Sequence, residues 1–510
     1  MPTQKRILLI YPAMGMSGAY VRHIPLSLLY AAIDPIRADF AIDLVDVRLC
    51  PTTWRRELAA RITPDTLLAG ISVMTGTPIA SALEITRWLK QQYPAVATVW
   101  GGPHASFDPA DILAEPAIDY VVSGNGSLPL ARLARHLRGD GEAPPPREIP
   151  GLSCRDGGTV RDVPPESGFV PVDYREIPYH LVADNLDRYG QLDRRERVFS
   201  LYATLGCPYN CSFCSSPALY RDTERRYQLV PPEEVVDHID YLHRRYGATY
   251  IYVIDDDSFV DPGHISAILD GIEARGLKIR LGFRGARIDE VLRMDDALLS
   301  RLARAGTTIL HIGAESGSQR MLDLMRKNIT VDDILAANRK LARHPEITAA
   351  YNWLIGLPGE TLDDLAATRE LILRILEENP AAIVFPPNKY RPLPGTELFA
   401  VAVAHGYRPP ARLEEWIEVE VEGDYTPTWY PPGFAAMVNM MQVAAYFIDA
   451  KLFTYSLGSG AKSLLIRLAG YLYRPLARFR YRHGLAGLLI EYRLYRRFVA
   501  GFRAGLREQE

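Results

Sequence analysis

Three of the five cysteines in this 510-residue chain, Cys207, Cys211 and Cys214, fall inside eight residues of the run "LGCPYNCSFCSSP" (205–217). Thiolates crowded on one short loop are metal ligands by type. A structural zinc site takes four ligands, usually as two separated pairs, and here a fourth ligand and a nearby histidine are both missing. A cubane iron–sulfur cluster also takes four. Three cysteines therefore leave one iron open to a chelating molecule, such as the amine and carboxylate of an amino acid. Spacings of three and two residues let one loop reach three corners of a cube, and Pro208 and Asn210 favour the turn. A zinc knuckle and three unrelated buried thiols are the rival readings. Cys50 and Cys154 stand alone and read as ordinary free thiols. So few cysteines make no disulfide framework, which places the thiols in a reducing, cytoplasmic setting.

The elements that must position this loop are predicted from hydrophobic periodicity. Over residues 1–140, the runs "RILLIYP", "FAIDLVDV", "LLAGISVM", "VATVWGG" and "IDYVVSGNG" read as buried strands, with helices expected over 25–36, 78–92 and 127–138. Strands alternating with helices predict an α/β, Rossmann-like doubly wound parallel sheet. Ligands of such sheets sit at strand C-termini. There this segment places Ser72, Thr75, Gly101, Gly102, His104, Gly124, Asn125 and Gly126. Residues 141–197 read as a linker carrying a small hairpin around Asp156-Gly157-Gly158. Residues 198–405 restart the alternation as six strand–helix repeats, a partial (β/α)6 TIM-like barrel. Residues 406–510 are expected to be mainly helical.

Composition limits the function classes. A formal net charge of −3 argues against a nucleic-acid binder. The start "MPTQKRILLIYPAMG" reads as a strand rather than a signal peptide. The longest apolar run, 434–448, contains Asn439 and Gln442 and is too short to span a bilayer. The charge is uneven: residues 451–510 hold 12 Lys/Arg against 3 Asp/Glu, a net +9, which leaves −12 on the rest. Within that tail, residues 463–506 interleave Leu, Tyr and Phe with Arg. Such helices either lie at a membrane interface, which would favour a lipid-like substrate, or cap the barrel.

The cysteine spacing, with the aromatic Phe213 before the last cysteine at the end of a first barrel strand, resembles the radical S-adenosylmethionine (SAM) superfamily. "DDDSFVD" (255–261), "HIGAESGSQRMLDLMRKNIT" (311–330), "WLIGLPGET" (353–361) and "YRPLPGTEL" (390–398) resemble motifs that follow later barrel strands in that superfamily. "GISVMTGTPIASALEI" and "VWGGPHAS" resemble its cobalamin-binding domain. In place of G-E-G-E this chain has "GNGS" (124–127), and it lacks a D-x-H-x-x-G run. That pattern suits a base-off cobalamin without a lower axial histidine.

The resemblance implies a [4Fe–4S] cluster on Cys207, Cys211 and Cys214, with SAM at the open iron and cobalamin in the N-terminal sheet. It implies SAM contacts at Phe213, beside the adenine, and at Glu315 and Ser316, toward the ribose or methionine. Arg287 is expected either on the SAM carboxylate or in a surface ion pair. Asp255 to Asp257 either meet a donor-rich ligand, with Asp257 the assigned contact, or form a solvated edge. Gly356 and Gly359 permit close backbone approach near the adenine. Ser72, Thr75, Gly101, Gly102, Gly124 and Asn125 are the expected cobalamin contacts. The implied reaction uses an external one-electron reductant of the flavodoxin or ferredoxin type. A 5′-deoxyadenosyl radical abstracts hydrogen from an unactivated carbon of a small or lipid-like substrate, which methylcobalamin then methylates. Rival outcomes are a radical cyclase, oxidase or rearrangement enzyme and, in another class, an iron–sulfur electron carrier or cobalamin sensor.

Overall fold

The computed structural model describes residues 4–15, 21–166, 172–191, 196–219, 226–419, 426–449, 451, 461–487, 489, 491–494 and 496–497. Its first sheet contains β1 (Arg6–Tyr11), β2 (Ala41–Asp46), β3 (Thr66–Ser72), β4 (Ala97–Gly101), β5 (Tyr120–Val122), β6 (Leu152–Asp156) and β7 (Thr159–Asp162), in the order β2-β1-β3-β4-β5-β6-β7. The first five strands are parallel. The strand order reverses beside β1, so a crevice opens at its C-terminal end, the usual ligand position of this topology. The expected linker hairpin is instead the antiparallel edge of this sheet, β6 pairing to β5. Its apolar Leu152 and Cys154 are buried, and that burial recruits it.

Helices over Thr77–Gln92 and Ser127–Arg138 match the expected bounds. The expected single helix over 25–36 is two pieces, Leu26–Ala31 and Ile33–Arg37. Pro35 has no N–H to donate to the carbonyl of Ala31, so one continuous ladder cannot form.

The second sheet has six parallel strands in chain order: β8 (Val198–Leu201), β9 (Tyr250–Val253), β10 (Arg280–Arg287), β11 (Ile309–Glu315), β12 (Thr348–Ile355) and β13 (Ile383–Val384). Among the described residues β8 and β13 do not pair, so the barrel is open on one side. Alternation sets the two faces. Phe199, Leu201, Ile251, Val253, Leu281 and Phe283 point outward into the helix-covered core. Tyr202, Tyr252, Arg284, His311 and Asn352 take the other parity and line the lumen.

The N-terminal unit packs against the β8–β9 part of the barrel. His23 stacks on Tyr252 with ring centroids 5.1 Å apart, and Tyr30 meets Tyr202 edge-on at 6.1 Å. Arg48, in a buried ion pair with Asp46, donates to the His23 carbonyl at 2.8 Å and fixes that loop.

The helix Ala461–His483 is packed on one side only. Ala477, Arg480 and Tyr481 are buried, and Arg369 donates to the carbonyls of Tyr481 and Arg482 at the helix C-terminus. The other side presents Leu464, Leu468, Tyr471, Leu472, Leu476 and Phe479, each more than half exposed. Of the 463–506 tail, residues 488, 490, 495 and 498–506 lie outside the described residues. No helix among the described residues is long and apolar enough to cross a membrane.

Candidate functional site

The cysteine loop leaves the short strand Thr204–Gly206 and is anchored by its own backbone. Ser212 donates through N to Met325 O (3.0 Å) and through Oγ to Leu324 O (2.8 Å), while its carbonyl accepts from Leu398 N (2.9 Å). Cys214 N donates to Cys211 O at 3.2 Å, which turns the loop back on itself. The three cysteines are half-buried and unpaired with one another. Burial pushes the Cys207 thiol up to about 12 and raises that of Cys214. Thiolates at such a place require an adjacent cation. Among the described residues no three His, Cys, Asp or Glu side chains converge on a single ion position. A cubane does not need them to, because each cysteine binds a different iron. Three thiols on one pinned loop, each able to reach its own corner, fit a cluster and do not fit a zinc knuckle.

Positive charge is already built in beside the loop. Arg287, buried at the end of β10, donates through Nη1 to Cys211 Sγ (3.4 Å), through Nη2 to Lys327 O (2.6 Å) and through Nε to Asp289 Oδ1 (3.0 Å), with its guanidinium over the Tyr209 ring. It is neither a surface ion pair nor a free fork awaiting a carboxylate. Its position answers thiolate charge. Lys327 lies behind it and bonds Glu315 Oε1 at 2.8 Å, both side chains almost fully buried. Burial opposes the lysine's charge, but Glu315 and the Cys211 thiol outweigh it and raise its pKa. Lys327 and Glu290 have no place among the sequence-derived candidates. Nothing in their spacing marks them, because their partners come from other repeats.

Glu315 has φ +65°, the left-handed region, at a register break between Gly313 and Glu315 in the β11–β12 pairing. A non-glycine residue held there costs on the order of 1–3 kcal/mol and persists at sites that over-determine it. Gly313 is required beneath it: a Cβ would stand 2.3 Å from Glu315 Oε1 and 2.8 Å from Lys327 Nζ. Ser316 is buried and accepts from Ser318 N (3.1 Å). Phe213 packs, partly buried, against the barrel core.

The three aspartates after β9 separate. Asp255 is buried, accepting from Ala203 N (2.8 Å) and Ser258 Oγ (3.0 Å), and burial moves its carboxyl up to about 7. Asp257 is buried beside Glu290, and burial and that neighbour raise it. Asp256 alone is exposed. The run is therefore neither a uniform ligand nor a solvated edge. At the end of β12, Gly356 (φ +84°) leaves room for Tyr430, whose hydroxyl would lie 2.0 Å from an added Cβ. Its N–H donates to Glu360, and its carbonyl accepts from Trp429 Nε1 at 3.0 Å.

In the N-terminal sheet, Ser72, Thr75, Gly101, Gly102, Gly124 and Asn125 all lie at C-terminal ends of β3, β4 and β5. Ser72 Oγ stands 3.5 Å from Ser27 Oγ, and Thr75 Oγ1 bonds His104 Nδ1 at 3.1 Å. Gly102 (φ +95°) lies so close to Val73 that a Cβ would meet its N and O at 2.9 Å. Asn125 Oδ1 accepts from Ser127 N (3.1 Å), and Ser127 Oγ accepts from Asp34 N (2.9 Å). The two residues standing in place of glutamates thus tie the loop to neighbouring helices. Small side chains and exposed backbone at this rim, with Gly124 and Asn125 both exposed, fit a bulky ligand laid across the crevice.

Comparison with known proteins agrees with this layout. The family model of the radical SAM superfamily matches residues 201–372, and that of the B12 binding domain matches residues 19–134. An uncharacterized methyltransferase of Pyrococcus horikoshii is 28% identical over 75% of this chain and 79% of its own length. The anaerobic magnesium-protoporphyrin IX monomethyl ester cyclase of Cereibacter sphaeroides is 28% identical over 61% of this chain, which spans only 49% of that enzyme. The solved structure of OxsB, described as a cobalamin-dependent S-adenosylmethionine radical enzyme with aqua-cobalamin and S-adenosylmethionine bound, superposes with a TM-score of 0.71 at 16% identity. The match covers 93% of this chain and 72% of that one.

Proposed function

Because the chain belongs to the radical SAM superfamily and carries a B12-binding domain, we propose that it is a cobalamin-dependent C-methyltransferase acting on an unactivated carbon. Its cofactors are a [4Fe–4S] cluster, SAM and cobalamin. When bound, they supply one-electron cleavage of SAM, hydrogen abstraction by the resulting 5′-deoxyadenosyl radical, and a methyl group.

The chain's own residues do the positioning. Cys207, Cys211 and Cys214 hold the cluster, with Arg287 compensating thiolate charge at Cys211. Lys327 holds the Glu315 carboxylate fixed at the barrel mouth through their 2.8 Å contact, where it orients SAM together with Ser316. Phe213 lies beside the adenine, and Gly356 makes room for Tyr430. Ser72, Thr75, Gly101, Gly102, Gly124 and Asn125 line the cobalamin cleft. His23 and Tyr30 cover Tyr252 and Tyr202 and limit water there, which would quench a radical.

The observation that carries this reading is the contact of the domain whose strand ends form the cobalamin crevice with the lumen residues Tyr252 and Tyr202, through His23 and Tyr30. Substrate in the lumen therefore faces both cofactor sites. The test is product mass: turnover with SAM, cobalamin and a flavodoxin-type reductant adds 14 Da to the substrate for a methyltransferase. Ring closure without that gain favours the second reading, a cyclase, which the Cereibacter relative supports. The half-exposed apolar side of Ala461–His483, with basic residues around it, supports peripheral contact with an anionic membrane and delivery of a lipid-like substrate.

A further inference from the structure

The barrel lumen carries a set of polar groups that no protein partner satisfies. Arg284 lies mid-strand on β10, between β9 and β11, yet it is exposed, so the space before it is open. Among the described residues neither a hydrogen bond nor an ion pair reaches its guanidinium. That is unusual, because a fork of five donors ordinarily pairs with carboxylate or phosphate. The neighbours that feel its charge are Tyr202 on the β8 end, Tyr252 on β9, His311 on β11 and His23 from the N-terminal unit. His23 Nδ1 is buried without a partner. Asn352, on the same face of β12 and in register with Gly313, also has none. Phe385 stacks on His311 with centroids 5.5 Å apart and forms an apolar wall.

A buried polar atom without a partner, such as His23 Nδ1, is rare, and beside an unpaired guanidinium it implies a ligand that supplies partners. Its sign follows from the lining. The fixed charge is a cation. Burial lowers both histidines to about 4, so they are neutral and each offers the ligand one ring N–H donor and one acceptor. Asp256 is exposed and its charge acts on Tyr202, but among the described residues it forms no ion pair with Arg284.

We infer that Arg284, with His23, His311 and Asn352 around it, binds an oxyanion, a carboxylate or a phosphate, on the substrate. The apolar part of that substrate lies along Tyr202, Tyr252 and Phe385. This inference rests on the radical SAM reading and names a substrate class within it.

The test uses the full chain loaded with cluster, cobalamin and SAM, and calorimetric titration with octyl phosphate, octanoate, octanol and inorganic phosphate. Both octyl anions are expected to bind at least about tenfold more tightly than octanol, the size of one charge-assisted contact. Arg284→Gln should erase that preference, and Arg284→Lys should keep part of it. Iron content, retained cobalamin and SAM affinity should be unchanged in both. Inorganic phosphate binding as tightly as octyl phosphate assigns the site to a small free anion, and weaker binding to an anionic amphiphile; both support an oxyanion site. Equal binding of octanol, a preference that survives in Arg284→Gln, or loss of SAM or cobalamin affinity in that variant overturns the inference. If Arg284→Gln does not fold, the wild-type anion-over-alcohol ratio and Arg284→Lys decide. Reductive SAM cleavage, measured on the same samples, reports separately on the radical SAM reading.

Discussion

Lys327 Nζ stands 2.8 Å from Glu315 Oε1 in a pair where neither side chain is more than 12% exposed, and the next cation toward the cysteine loop is Arg287. Breaking such a pair leaves a buried charge uncompensated, which costs about 3–5 kcal/mol, whereas removing both partners costs far less. Glu315→Gln and Lys327→Met should each lower chemical-denaturation stability by that amount, and the double variant should recover most of it. A double variant whose loss equals the sum of the two single losses would show that the pair is not coupled.

Cys211→Ala should abolish the cluster. Iron and sulfide analysis after anaerobic reconstitution should show four irons per chain in the wild type and none in the variant. An intact four-iron cluster in the variant would remove Cys211 from the ligand set.

Bulk at the crevice should expel cobalamin and leave the barrel alone. In Ser72→Trp the new side chain grows toward Ser27 across the strand end. Hydroxocobalamin retained on desalting by the wild type should pass through with the variant, and iron content should match. A wild type that leaves the hydroxocobalamin spectrum unchanged and retains none would sink both the cobalamin cleft and the methyltransferase reading.

Glu360 supplies a pH signature. Burial raises its carboxyl to about 8, with one oxygen accepting from the N–H groups of Gly356 and Leu357 and the other unpartnered. A carboxyl whose folded pKa is raised holds a proton that the unfolded chain releases near its ordinary value. Its contribution is full below about 4.5 and is lost as pH climbs toward 8. Urea stability of Glu360→Gln relative to wild type should therefore improve steadily from pH 5 to pH 8.5. A constant difference would contradict the raised value.

The tail should bind anionic vesicles through apolar contact as well as charge. Arg480 is engaged internally by Tyr473 and Glu491, and Arg482 pairs with Glu377. Replacing Arg480 would therefore damage packing. Leu468→Glu with Leu472→Glu, both on the exposed side, should abolish co-sedimentation and leave SAM cleavage intact. Co-sedimentation that persists would return the helix to a purely capping role.

The cysteine cluster, both α/β units and the strand-end glycines were legible in the chain by itself, because each depends on local spacing or on a hydrophobic period. The same holds for helix bounds such as Ser127–Arg138, where a basic last turn and Gly139 in the left-handed conformation end the helix. What local spacing cannot encode is which distant side chains meet. Arg287 looked like a carboxylate fork, and only the fold brings it to Cys211, 76 positions away. Asp255 and Asp257 looked equivalent to Asp256, but strand parity and the approach of Glu290 buried two and exposed one. The hairpin at 152–162 read as linker because its few apolar residues carry no period. Burial against β5 made it sheet. Whether Arg284 would find a partner was likewise undecided until the barrel formed, since an arginine's pairing depends on the geometry of neighbouring repeats rather than on its neighbours in the chain.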